Sequence, residues 1–207
     1  MKMDLSNIKN IIFDLGNVLL NLDFDASIRA FQKLGSSGEI LDHKNAYADP
    51  VFYNLEIGKI SPAEFRKTAK KILNNPGASD REIDDAWYAM IKDIPAHRVA
   101  VLKELSKKYN VFLFSNTNKI HIERLLIEFK AAHGIDFPSL FKTAYYSHEI
   151  HDRKPEVSSF EKVIELSGVN PQETLFVDDL EKNIISAQKA GLKTLWLTKE
   201  MEMADLF

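Results

Sequence analysis

The chain has 207 residues and no cysteine, which excludes disulfides and thiolate catalysis and leaves room for one large domain or one domain with a small insertion. With 45% hydrophobic and 28% charged residues it has the composition of a globular protein, and its net charge of -3 supplies no general attraction for nucleic acid or an anionic membrane.

A short polar leader, Met1 to Lys9, precedes the first apolar run, Asn10-Ile11-Ile12-Phe13, which stops at Asp14. Gly16 follows, where a chain can turn sharply and bring its backbone near a ligand. This is an acid held at the tip of a buried strand. After Val18-Leu19-Leu20 the spacing becomes helical for most of the next segment, which reads as an inserted helical unit, residues 21–95, within a core made of 1–20 and 96–207. One helix is predicted from Phe24 to Lys33, ended by Gly35 and the small residues Ser36-Ser37-Gly38. A second helix starts at Ser61-Pro62-Ala63-Glu64, where Ser caps, Pro takes the first helical position and Glu reaches back, and it runs to Leu73. Ser79-Asp80-Arg81-Glu82 repeats that spacing and opens a helix through Ile91, with Trp87, Met90 and Ile91 on its buried face.

Beyond Ile94-Pro95 strand and helix alternate. Helix Arg98–Lys108 leads to strand Val111–Phe114, which stops at Ser115-Asn116-Thr117-Asn118; helix Ile120–Ala131 and strand Thr143–Tyr146 follow. After the loop Arg153-Lys154-Pro155 come helix Ser158–Ser167, strand Leu175–Val177 ending in Asp178-Asp179, helix Asn183–Ala190 and strand Thr194–Leu197. The rhythm predicts an α/β fold, a Rossmann-like doubly wound parallel sheet covered by helices on both faces. The strand tips of such a sheet line one edge, so Asp14, Ser115-Asn116 and Asp178-Asp179 are expected to meet there. The tail, Glu200 to Phe207, carries no signal.

Asp14-Leu15-Gly16-Asn17-Val18, Ser115-Asn116, Arg153-Lys154-Pro155-Glu156 and Asp178-Asp179 with Asn183 together resemble, in order and spacing, the four motifs of the haloacid dehalogenase superfamily. The helical insert resembles the small cap of its first cap class, and the nearest resemblance is to bacterial members acting on sugar phosphates, glucose 1-phosphate among them. The resemblance implies a Mg²⁺-dependent phosphatase acting on a small phosphorylated metabolite. Asp14 is then the nucleophile that forms an aspartyl-phosphate. Asp14, the Gly16 carbonyl and Asp179 are the implied Mg²⁺ ligands, a set of hard oxygens that suits this ion. Lys154 supplies a point charge to Asp14 and the phosphoryl oxygens, and the Ser115 hydroxyl and Asn116 backbone N–H hold the phosphoryl group. Asp178 and Asn183 are supporting groups, Asn183 orienting Lys154 or Asp179. A helix cap is compatible with the same role for the acidic pair. Leu55 to Ser61 resembles the loop that such caps lower over the site, and Glu56 and Lys59 within it are either contacts for sugar hydroxyls or solvated charges. His121, His148 and His151 read as surface or packing residues.

One departure stands out. Phosphatases of this superfamily usually carry a second Asp two residues after the nucleophile, to protonate the leaving oxygen; here it is Gly16. A relatively acidic leaving group, such as the anomeric oxygen of a sugar 1-phosphate, lessens the need for that proton, and Asn17 or Glu56 are the candidates to supply it. Two rival readings exist, a metal-independent dehalogenase and a non-catalytic phosphosugar-binding protein. The acidic pair Asp178-Asp179 argues against the first, and Gly16 is the main support for the second. The beginning of the chain shows neither a signal-peptide pattern nor a membrane-spanning stretch. A cytoplasmic monomer or weak homodimer, without nucleic-acid or membrane partners, is expected.

Overall fold

Where the apolar runs stop at a polar residue, strands end. A computed structural model, which describes residues 5–35 and 49–207, contains β1 (Asn10–Phe13), β2 (Asn110–Ser115), β3 (Thr143–Tyr146), β4 (Thr174–Asp178) and β5 (Lys193–Trp196). They form one sheet, all parallel, in the spatial order β3-β2-β1-β4-β5. The chain fills one side of β1 and then crosses to the other, so the direction of winding reverses at β1 and leaves a crevice at the strand tips. Register decides what lines that crevice: Phe13 pairs with Leu113 and with Val177, so Asp14 lies level with Asp178 and one step short of Ser115.

Side chains alternate between two apolar clusters, as a strand period of two requires. Ile11, Phe13, Val111, Leu113, Leu175 and Val177 enter one cluster; Ile12, Phe112, Phe114 and Phe176 enter the other. Helices α5 (Ala96–Leu105) and α6 (Lys119–His133) cover the first, while α8 (Val157–Ser167) and α9 (Glu181–Lys189) cover the second. A short α7 (Ser147–Ile150) follows β3 directly.

Between β1 and α5 stand α1 (Phe24–Lys33), α2 (Pro50–Glu56), α3 (Pro62–Ile72) and α4 (Asp80–Tyr88), which bury an apolar cluster of their own. Trp87 sits at its centre, 4.9 Å from the Phe52 ring and 5.8 Å from that of Phe65. Both serine capping boxes form, at Ser61 and at Ser79. This unit joins the sheet through two antiparallel chain segments: Asn21 N–H donates to the Asp93 carbonyl, Lys92 N–H donates to the Asn21 carbonyl, and Leu22 bridges Ile91.

Several expected boundaries are corrected. Ile91 is not on the α4 face, because the helix ends at Tyr88 and Ile91 pairs with Leu22 instead. Leu55 and Glu56 are the last turn of α2, not loop; Asp49 caps that helix and Pro50 opens it. Helices α5, α6, α8 and α9 begin one or two residues early, since their first turns are set by caps and motif residues that carry no apolar period. Strand β5 spans Lys193–Trp196, and Leu197 N–H still bonds the Asp178 carbonyl. The Ser36-Ser37-Gly38 stop and Met1 to Asp4 of the leader lie outside the described residues.

The tail forms α10 (Met203–Leu206), with Met203 fully buried in the first cluster. Glu202 caps it and takes both arms of Arg98, at 2.8 and 2.7 Å. That fork holds the Glu202 carboxyl down to about 2 from its ordinary 4.5. A depressed carboxyl stabilises the fold above its unfolded pKa and stops doing so as pH falls through the folded one. Glu202→Gln is therefore expected to lower unfolding free energy by about 1 kcal/mol at pH 7, a partly exposed pair counting for no more. In urea titrations the gap from the parent should shrink as pH falls from 4.5 toward 2; a gap that widened on acidification would contradict the pairing.

Candidate active site

Asp14 leaves β1 with its N–H on the Val177 carbonyl at 2.9 Å, which fixes its backbone beside β4. Lys154 arrives from the segment after α7, and Asn116 holds its backbone from both ends: Lys154 N–H donates to Asn116 Oδ1 at 3.0 Å, and Asn116 Nδ2 donates to the Lys154 carbonyl at 2.8 Å. The side chain then runs between the rings of Phe114 and Phe176, whose centroids are 5.2 and 5.3 Å from Nζ. Its ammonium donates to Asp14 Oδ1 at 2.5 Å and to Asp178 Oδ2 at 2.7 Å, with the lysine only 1% exposed.

Asp178 has no oxygen to spare. Oδ1 accepts from Leu180 N–H and Asn183 Nδ2, and Oδ2 accepts from Lys154 and the same Asn183 nitrogen. Asn183 thus grips Asp178 directly, which corrects the expectation that it orients Lys154 or Asp179. Asp179 accepts from Asn17 Nδ2 at 3.1 Å, and the left-handed backbone of Asn17, at φ 54°, aims that amide across the crevice. Ser115 is buried, and its hydroxyl makes a long 3.5 Å contact with the Asn116 carbonyl. A Cβ at Gly16 would lie 2.7 Å from Leu22 Cδ1, so leucine fills the space that a side chain at 16 would occupy.

Asp14, Asp178 and Asp179 each offer an oxygen within 4.8 Å of the others. The Asp14 carboxyl ends raised, at about 7: burial raises it most, Lys154 pulls against that rise and the Asp178 charge adds to it. Asp179 is raised as well, by burial first. Burial pushes Lys154 down, but the charges of Asp14 and Asp178 outweigh it and its pKa ends above the ordinary value. The donors are hard oxygens, and three carboxylates face one ammonium, so the cluster suits a divalent cation of the Mg²⁺ kind.

A cavity of about 380 Å³ opens above these groups. The strand tips and their loops contribute Asp14, Ser115, Asn116, Lys154 and Asp179 to its lining, and the helical insert contributes Phe52, Tyr53, Glu56 and Trp87. Glu56 pairs with Arg153 at 2.5 Å, and the Arg153 guanidinium lies 5.4 Å from the Tyr53 ring centroid. One residue on, the Ile57 carbonyl accepts from His151 Nδ1 at 3.0 Å, which places the proton on that nitrogen. Gly58, at φ 67°, packs directly against the His148 carbonyl. The turn after α2 is therefore clasped to the segment that carries Lys154. Lys59 is exposed and outside the cavity lining, which leaves the solvated-charge reading for it.

His121 lines the cavity but is a packing residue: its Nε2 donates to the Trp87 carbonyl at 3.1 Å, its ring stacks on Trp87, and burial pushes it down to about 3. Arg153, Tyr53, Lys182 and the side-chain role of Asn116 were not anticipated as site features. A usable signal existed for Tyr53: with a helix opened by Asp49-Pro50, Tyr53 and Glu56 fall three apart on one face.

A family model described as haloacid dehalogenase-like hydrolase matches residues 11–197. The chain is 31% identical over 187 residues to the D-ribitol-5-phosphate phosphatase of Bacteroides thetaiotaomicron, covering 90% of each. A crystal structure of a HAD family enzyme from Bacteroides thetaiotaomicron, in complex with magnesium and inorganic phosphate, superposes with a TM-score of 0.89 at 36% identity, covering 97% of this chain and 99% of that one. The 2-haloacid dehalogenase of Pseudomonas syringae pv. Tomato shares the fold alone, at 17% identity and a TM-score of 0.58 over 92% of this chain and 86% of its own.

The clasp can be probed at Gly58. Gly134 and Gly168 share its positive φ but would have open space around a Cβ. Gly58→Ala is expected to cost about 1–3 kcal/mol of stability beyond what Gly134→Ala or Gly168→Ala costs, read from denaturant midpoints of the purified variants. Equal losses at all of them would mean that the close approach to His148 carries no strain.

Proposed function

The chain belongs to the haloacid dehalogenase-like hydrolases, and from that premise we propose that it is a Mg²⁺-dependent phosphatase that hydrolyses small phosphate monoesters, sugar and polyol phosphates foremost, through an aspartyl-phosphate on Asp14. The observation that carries this reading is the ammonium of Lys154 bonded to both Asp14 and Asp178, with Asp179 beside them and a cavity in front.

The Lys154 bond to Oδ1 fixes the rotation of the Asp14 carboxyl, so attack on phosphorus starts from an oriented nucleophile. Asp14, the Gly16 carbonyl and Asp179 would hold Mg²⁺, which when bound screens the charge between carboxylate and phosphate. Asp178 is left out of that set because its oxygens are already committed to Lys154, Asn183 and the Leu180 N–H. The Ser115 hydroxyl, the Asn116 N–H and Lys154 take the equatorial oxygens of the transferring group, where its charge resides. Asn116 contributes twice, since its side chain also sets the Lys154 backbone. Glu56, with Arg153, faces the ester from the insert and contacts the leaving group. Residues 21–95 act as the cap.

The comparisons support the substrate class: the curated relative from Bacteroides thetaiotaomicron is named a D-ribitol-5-phosphate phosphatase, and the HAD family enzyme solved from that organism holds magnesium and inorganic phosphate in the crystal. A metal-independent dehalogenase has no use for a cluster of three carboxylates against one lysine, which buried Asp178 and half-buried Asp179 create here beside Asp14. No described helix is long and apolar enough to cross a membrane. A monomer or weak homodimer in the cytoplasm, with no nucleic-acid partner, completes the proposal.

Asp14→Asn is expected to bring phosphatase turnover to the assay floor, and EDTA to do the same until Mg²⁺ is restored. Lys154→Ala should lower kcat by roughly 10²–10³, and Ser115→Ala by less than the loss at Asp14. Asp179→Asn should raise the Mg²⁺ concentration for half activity by roughly 10–100-fold. Phosphate release from a panel of sugar and polyol phosphates checks all of these; turnover indifferent to EDTA, or halide release from 2-haloacids, would overturn the reading.

A further inference from the structure

We infer that Glu56 is the proton carrier of this site, the group that protonates the leaving oxygen and later takes a proton from the hydrolytic water. The inference rests on the phosphatase reading above and names a further catalytic residue for it.

The reaction must place a proton somewhere. When Asp14 attacks phosphorus, the bond from phosphorus to the ester oxygen breaks and its electron pair stays on that oxygen. For a primary alcohol ester, such as the pentitol phosphate that the Bacteroides relative is named for, the departing group is an alkoxide that a proton must neutralise. Position 16 cannot give that proton, because it has no side chain and Leu22 stands in the space. Asn17 is an amide committed to Asp179. His121 stays neutral, with its N–H turned onto the Trp87 carbonyl.

Among the described residues three carboxyls line the cavity: Asp14, Asp179 and Glu56. The first is the nucleophile and the second belongs to the metal set, which leaves the third. Glu56 sits at the end of α2 and lines, from the insert, the same cavity that Asp14 lines from the strand tips, so an ester held at Asp14 shares its chamber with this carboxyl. Arg153 engages it through Oε2 from the sheet side, which holds the carboxyl in one orientation while a carboxyl retains a second oxygen for the substrate. Burial raises its pKa above the ordinary 4.5, with Arg153 and then Lys182 pulling it back, so the protonated form is more accessible than for a solvated glutamate.

The cycle balances. In the first half the Glu56 carboxyl gives its proton to the ester oxygen as the alcohol leaves, and Asp14 is phosphorylated. In the second, water attacks phosphorus, its proton passes to the Glu56 carboxylate, the bond between phosphorus and the Asp14 oxygen breaks, and phosphate and free Asp14 result.

The test compares two esters whose leaving groups need that proton unequally, an alkyl phosphate such as ribitol 5-phosphate and p-nitrophenyl phosphate, whose phenolate departs unaided. The quantity is kcat/KM, which ends at departure of the leaving group. Glu56→Gln keeps the shape and removes the proton; it is expected to lower kcat/KM for the alkyl ester by roughly 10²–10⁴, and for the aryl ester by a factor at least tenfold smaller. Arg153→Gln, which loosens the same clasp but keeps the acid, is expected to lower both esters by the same factor. Equal losses on the two esters in Glu56→Gln, or a selective alkyl loss in Arg153→Gln as well, would overturn the assignment and leave Glu56 as a packing or closure residue. If the parent protein hydrolyses neither ester with Mg²⁺ present, the phosphatase reading itself fails, which is a separate outcome.

Discussion

Everything at the strand tips depends on one buried ammonium. Lys154 is 1% exposed, and a charge at that depth is tolerable only when paired and hydrogen-bonded. Asp14 and Asp178 supply the pairing, and the two aromatic rings of Phe114 and Phe176 enclose the stem. Removing one partner of such a pair strands the other charge in low dielectric, a cost of about 3–5 kcal/mol. The same bonds that stabilise the lysine also aim the nucleophile, so the fold cannot keep the one without the other. Four separated pieces of chain meet through it: the end of β1, the end of β4, the loop after α7 and, through Asn116, the end of β2.

Why so much of this was legible in the sequence is a matter of strand geometry. A strand buried on both faces reads as an unbroken apolar run, and where it stops at a polar residue the tip is marked to within one position. Asp14, Ser115 and Asp178 could therefore be placed at one edge from their runs alone, and the parallel register then brings Asp14 level with Asp178. The partner of Asn183 was not legible. A helix beginning at Glu181 turns that amide onto both oxygens of Asp178, and one residue of shift in the helix start would turn it elsewhere. Arg153 was hidden for another reason. Its partner Glu56 lies far away in sequence on α2, and a helix of only seven residues leaves little periodicity to detect.

The helical insert is tied to the sheet in three places, and they differ in kind. The stem of Asn21 and Leu22 against Ile91 and Asp93 is backbone ladder, with the strength of a short antiparallel pair. Helix α4 is fastened to α6 by side chains: Arg124 reaches Asp85 at 2.6 Å and lies over the Tyr88 ring, Tyr88 donates to Glu128, and His121 stacks on Trp87. The turn after α2 is held by the Glu56–Arg153 pair and by His151 on the Ile57 carbonyl. Of these, only the last touches both the cavity and the segment that carries Lys154, so substrate fit and the position of the ammonium share one set of contacts.

Leucine at position 22 changes the character of the chamber as well as closing position 16. Beside Asp14 the lining continues through Leu20, Leu22, Met90, Ile91 and Leu125, so the acidic cluster faces an apolar wall. Beside apolar walls each charge acts at longer range than it would in bulk solvent. The cost is that the buried carboxylates of Asp14 and Asp178 must be neutralised from within, by Lys154 and a divalent ion. The benefit falls to the transferring phosphoryl group, whose oxygens meet fixed donors and little competing water. A polar stretch of the lining remains at Tyr53, Glu56, Arg153 and Lys182, joined by the Glu56–Arg153 pair and the Arg153 guanidinium near the Tyr53 ring. Polar groups of a bound ester have hydrogen-bonding partners on that stretch and none on the apolar residues, so the asymmetry of the lining orients a bound phosphate ester.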